Sequence, residues 1–213
     1  MALQEQAMSN SSRLGESLRR WRLYAEVSEV GEIARRYFVM NAFDGALTTL
    51  GVVIGAYIAG RLDPLIIILA GLSGAIAMSI SGFSGAYLTE AAERGRELKE
   101  LERALLKPLK DTVQSRATHF ATFLTAIVDA LSPFLSSLLV LAPFIAAEVL
   151  PIPPDVAFYA SITMTLIVMV ILGSYLARIS GQGVLRYGAK MLAVGVITAA
   201  LCILVAVLLG GGV

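Results

Sequence analysis

Five stretches of this chain, at 38–60, 64–89, 119–150, 156–177 and 187–209, are each long and apolar enough to cross a bilayer. A spanning helix needs about 20 mostly apolar residues. Hydrocarbon offers no partner for backbone polar groups, and helices pair those groups within each span. Composition agrees, with 57% of residues hydrophobic, 15% charged and a mean hydropathy of +0.77, against about 25% charged in a soluble domain. The expectation is an all-α membrane protein with five transmembrane helices and little chain left for a separate soluble domain. The polar start of the chain does not read as a cleaved signal peptide.

Gly, Ala, Ser and Thr recur in every run, which favours close helix approach and a compact bundle. The third run carries Pro133 and Pro143, so a kink, or a tilted helix with one end outside the bilayer, is expected there. Basic residues give the orientation. Arg13, Arg19, Arg20, Arg22, Arg35 and Arg36 precede the first run. Arg94, Arg96, Lys99, Arg103, Lys107, Lys110 and Arg116 lie between the second and third, and Arg178 and Arg186 between the fourth and fifth, with Lys190 at the near end of the fifth. On the opposite side stands Arg61 alone. This asymmetry predicts a cytoplasmic N-terminus and an outside C-terminus. Four segments follow: 1–37, an interfacial amphipathic helix; 38–89, spans one and two; 90–117, a short charged cytoplasmic helical segment; and 118–213, spans three to five.

Two acids lie inside the apolar runs. An ionised carboxylate there costs at least about 2.5–3.5 kcal/mol, so it marks an ion or proton path, or a polar brace. Asp44 shares a helical stripe with Asn41 and Thr48, all oxygen donors. Asp129 precedes Pro133 by one turn, and proline leaves the Asp129 carbonyl without its helical amide partner. Both acids enter from the cytoplasmic side at similar depth and can face one another. Two close carboxylates share a proton or bind a cation; a structural bond to a Ser or Thr is the alternative for Asp129. Met78, in the second run, offers a soft thioether or plain packing. His119 is the lone histidine and Cys202 the lone cysteine, which excludes an internal disulfide and most enzyme sites. A net charge of +1 gives no reason to expect nucleic acid.

Two polar segments face the cytoplasm in this reading. Residues 12–37 suit a helix with Leu14, Leu18, Trp21 and Ala25 on one face and arginines around it, able to meet lipid phosphates; Glu26, Glu29 and Glu32 fit a solvated face, and Gly31 marks a bend. In 89–116, Glu90, Glu93, Glu97 and Glu100 fall on one helical face. They either collect a divalent cation through carboxylate oxygens or pair with Arg94, Arg96, Lys99 and Arg103 on a solvated helix that Pro108 ends.

The segment Asn41-Ala42-Phe43-Asp44-Gly45-Ala46-Leu47-Thr48-Thr49-Leu50-Gly51-Val52-Val53 resembles the first-span motif of the vacuolar iron transporter family. Gly85-Ala86-Tyr87-Leu88-Thr89 is similar to the close of that family's second span, and Ile171-Leu172-Gly173-Ser174-Tyr175 and Met191-Leu192-Ala193-Val194-Gly195 to the ends of its last two. The resemblance implies a dimer with the pathway between subunits, exporting Fe²⁺ or Mn²⁺ from the cytosol in exchange for protons. It makes Asp44 the pathway carboxylate and Glu90, Glu93, Glu97 and Glu100 a reduced metal-collecting face. It also places the family's pathway Met on Gly82, leaving Met78 one turn away, and the family's Glu on Ala86.

The combined expectation is a homodimeric, multi-pass transporter of a prokaryotic plasma membrane, not an enzyme, with lipid, protons and a divalent cation as partners and no permanently bound cofactor. Asp44 and Asp129 hold the ion, helped by Asn41, Thr48 and Met78. A membrane protein whose cytoplasmic helix binds a partner, and a proton or monovalent-cation path, stay open beside it.

Overall fold

The structure, a computed structural model, describes residues 21, 23–25, 30–110 and 112–209. These form five helices long and apolar enough to cross a membrane: α1 Val30–Ile58, α2 Pro64–Leu105, α3 Val113–Val149, α4 Pro154–Ile179 and α5 Val184–Leu208. All five expected spans are present. α1 and α3 begin earlier than the apolar runs because their polar first turns, including Glu32, Arg35 and Arg36, continue the same helix. Gly31, expected at a bend, stands inside the first turn of α1. Pro133 and Pro143 both lie within one continuous α3. The expected amphipathic helix falls largely outside the described residues, including Leu14, Leu18, Arg13, Arg19, Arg20, Arg22, Glu26 and Glu29.

α2 has 42 residues, about 63 Å at 1.5 Å per residue, roughly twice the hydrocarbon thickness. The charged segment therefore continues the second span without a break, as its helix propensity predicts. Its end differs from the expected stop at Pro108. Leu106 adopts a left-handed φ of 50°, and the Lys107 amide then reaches back to the Glu102 carbonyl at 3.2 Å. That closure satisfies carbonyls the helix end would orphan. Glu102 reinforces it by accepting the Leu109 amide at 2.8 Å.

The chain divides into two compact units. One comprises Met1–Arg36 and Phe83–Val128. In it, Trp21 and Tyr24 pack on Phe120, with ring centres 5.7 and 6.0 Å away. Phe83 stacks on Tyr87 and meets Phe123 edge-on.

The other unit comprises Tyr37–Gly82 and Asp129–Val213. Ala42 and Ala46 of α1 pack with Val140 of α3 and with Val168, Met169 and Leu172 of α4. Deeper along α1, Val53 joins Ile67, Leu141, Phe144, Ala157 and Phe158, and Tyr57 stacks on Phe158 with ring centres 4.2 Å apart. α5 contributes Ala199, Cys202 and Ala206 against Leu50, Ile54 and Ile58, and is the least buried of the five.

Lipid tails are as apolar as leucine, so these helices are held by fit and hydrogen bonds rather than by hydrophobic burial. Ser137 donates to the Gly45 carbonyl at 3.1 Å, and Ser161 to that of Val140 at 2.7 Å. Such bonds average about 0.6 kcal/mol in membranes. The tightest approach is at Gly45, where an added Cβ would fall 2.6 Å from the Pro133 Cα. Gly45→Ala is expected to cost about 3 kcal/mol, the upper end for overpacking, because backbone must move. Gly95→Ala, with nothing within 4 Å of the new Cβ, should be neutral or stabilising by up to about 1 kcal/mol. Thermal unfolding of the purified protein in detergent measures both.

Candidate cation site

The close passage of α1 over α3 sets the polar groups. One turn before Gly45, Asn41 points at α3, and its amide donates to Asp129 Oδ1. The same nitrogen donates to the Tyr37 carbonyl at 2.9 Å, which fixes the side chain against its own helix. Asp129 is only 5% exposed. α2 approaches the same carboxylate at Gly82, where an added Cβ would stand 2.6 Å from Oδ2. Asp129 thus lies where α1, α2 and α3 meet. Asp44 is close enough to interact with it electrostatically.

Asp44 itself is exposed, as is Thr48 one turn on, while Thr49 is buried at 2%. The expected stripe therefore divides: Asn41 turns inward to Asp129, and Asp44 and Thr48 look out from α1. Met40, one turn before Asp44, shares the outward side and is 56% exposed. A carboxylate facing bare hydrocarbon carries the penalty of about 2.5–3.5 kcal/mol. That face of α1 accordingly requires water or another protein surface. Met78 lies partly buried on α2, one turn before Gly82.

The four glutamates belong to the other unit and do not share one environment. Glu90 is 7% exposed and bonds Arg94 Nε at 2.8 Å. Glu100 meets Arg96 at 3.3 Å on an exposed surface, a pair worth little. Glu93 and Glu97 are exposed. The pairing alternative thus describes Glu90 and Glu100. Among the described residues no three His, Cys, Asp or Glu side chains converge as a metal-holding group.

Comparison with known proteins places this arrangement. The VIT family profile matches residues 35–108 and 107–207. The chain belongs to the VIT family. It is also similar to an uncharacterized protein of Methanocaldococcus jannaschii, 35% identical over 178 residues, which cover 82% of this chain and 90% of the relative. VIT-family proteins are membrane transporters of metal ions rather than enzymes, and the five-helix chain is a multi-pass member.

Sequence reasoning singled out Asn41 and Asp129 separately but missed their bond, because no spacing rule links α1 to α3. It passed over Gly82 as a structural partner of Asp129. The available signal was the small residues Ser79, Ser81 and Gly82, which say that something approaches but not what. Asn41→Leu should destabilise the protein by about 1–3 kcal/mol, the cost of leaving a buried acceptor unpaired, whereas Asn41→Leu with Asp129→Leu should recover most of it. Chemical or thermal unfolding of the two variants tests the bond.

Proposed function

We propose that this protein exports a divalent metal cation, Fe²⁺ or Mn²⁺, from the cytosol of a prokaryote across its plasma membrane, in exchange for protons. The observation that carries the reading is Asp44: a carboxylate in a membrane span, turned outward beside Thr48. VIT-family membership supports a metal ion as cargo. Carboxylate, amide and hydroxyl oxygens suit hard and borderline divalent cations.

In this mechanism Asp44 holds the metal in one half of the cycle and a proton in the other. Loading the metal displaces the proton, and protonation from outside releases the metal. Asp129, held by Asn41, lies close enough to strengthen the negative field that draws a cation in. Glu93 and Glu97 on the charged half of α2 raise the local metal concentration at the cytoplasmic mouth, with Glu90 and Glu100 tied to arginines.

A homodimer completes the path. The outward face of α1 carries Met40, Asp44 and Thr48, all exposed. A second copy there shields both Asp44 carboxylates from lipid and encloses a polar channel. The N-terminus is cytoplasmic and the C-terminus outside in this reading, which the distribution of basic residues supports.

Reconstituted protein should carry Mn²⁺ and Fe²⁺ into liposomes at a rate that follows an imposed pH gradient. Asp44→Asn should lower that rate at least tenfold, since removing one group that acts only in the critical step typically costs that much or more. Flux unchanged in Asp44→Asn, or flux of Na⁺ in preference to either metal, contradicts the reading.

A further inference from the structure

We propose that Gly82 determines ion specificity: its missing side chain admits the Asp129 carboxylate to the junction of α1, α2 and α3, so that the cation meets oxygen from α3 there. The inference rests on the transport reading above.

Residue 82 and residue 129 compete for one space. A Cβ on Gly82 would lie 2.6 Å from Asp129 Oδ2, 3.5 Å from its Cγ and 3.4 Å from its backbone carbonyl oxygen. Any side chain at 82 therefore has to move the carboxylate. Asp129 cannot swing away freely, because Asn41 holds Oδ1 and is itself tied to the Tyr37 carbonyl. Two oxygens of Asp129 thus border the open side of Gly82. One belongs to the carboxylate. The other is a carbonyl that receives no helical amide from Pro133, which has no N–H.

The chemistry of that pair is that of a hard-cation site. Anionic and carbonyl oxygens suit Mn²⁺ and similar ions, whereas thioethers suit soft ones. Met78 stands one turn before Gly82 on α2. With Asp129 displaced, this thioether becomes the soft side-chain donor on that part of α2, beside the neutral hydroxyls of Ser79 and Ser81, and preference moves toward soft ions. Gly82 acts through Asp129, so its role is to position the carboxylate.

Mn²⁺ binding to the full chain in lipid nanodiscs, read from the loss of the free-ion paramagnetic resonance signal, tests this without any transport. G82A and D129A should each weaken Mn²⁺ binding about ten- to hundredfold. G82A/D129A should be no weaker than D129A, because the two changes remove the same ligand. In both single variants, competition should tilt toward Cd²⁺ by about tenfold or more, a change that loss of packing alone would not produce. G82A binding Mn²⁺ as the parent does, or losses that add in the double variant, would overturn the inference. Should G82A fail to fold, recovery of the fold in G82A/D129A supports the shared space, and failure of both refutes it. Binding lost in D44N but retained in G82A refutes this inference and leaves the transport reading standing. A parent protein that binds no Mn²⁺ refutes both.

Discussion

Apolar burial gives membrane helices no reason to prefer one another over lipid, so the contact between α1 and α3 has to come from shape and hydrogen bonds. Gly45 supplies the shape by letting α1 run against the Pro133 backbone. Ser137 and Asn41 supply bonds on either side of the contact. The rest of the polar architecture follows from this passage. It buries Asp129, turns Asn41 inward, and leaves Asp44, less than one turn on, exposed. A wider spacing would leave a buried carboxylate without its donor, a defect expensive in hydrocarbon.

The polar side chains differ in how they are satisfied, and that difference separates structure from function. Ser161 and Thr165 each bond a backbone carbonyl and are closed. Glu90 is closed by Arg94. Asp129 is fixed on one oxygen and turns the other toward Gly82. Asp44 and Thr48 lie outside the packed interior altogether. Of the closed groups, Ser161 joins α4 to α3, and the other two bonds each stay within one helix. Asp44 and Asp129 are the carboxylates that the proposed cation path uses, and both belong to the unit that contains most of the spans.

Much of the fold was legible in the sequence because hydrophobic length and helical period are local properties. All five spans and the unbroken passage of the second into the charged segment followed from them. The end of α2 was misplaced because Leu106, a residue with no special liking for left-handed geometry, makes the turn that Pro108 was expected to enforce. The site was legible only in part. Asp44 declared itself through its depth in an apolar run. The bond from Asn41 to Asp129 and the pressure of Gly82 on the same carboxylate depend on which helix faces which, and periodicity within one helix carries no such information. The acidic face on α2 was legible as a set of positions, but the burial of Glu90 with Arg94 was decided by packing.

In the proposed cation path the outward face of α1, at the level of Asp44, borders water rather than lipid. Thr48→Cys, made with the lone native cysteine changed in Cys202→Ser, keeps Asp44 intact and places a thiol one turn away. Its rate of modification by a charged, membrane-impermeant thiol reagent in intact membranes measures that environment directly. Modification, slowed by Mn²⁺, is the expected result. Reaction with a lipid-soluble reagent alone, with no response to Mn²⁺, would contradict it.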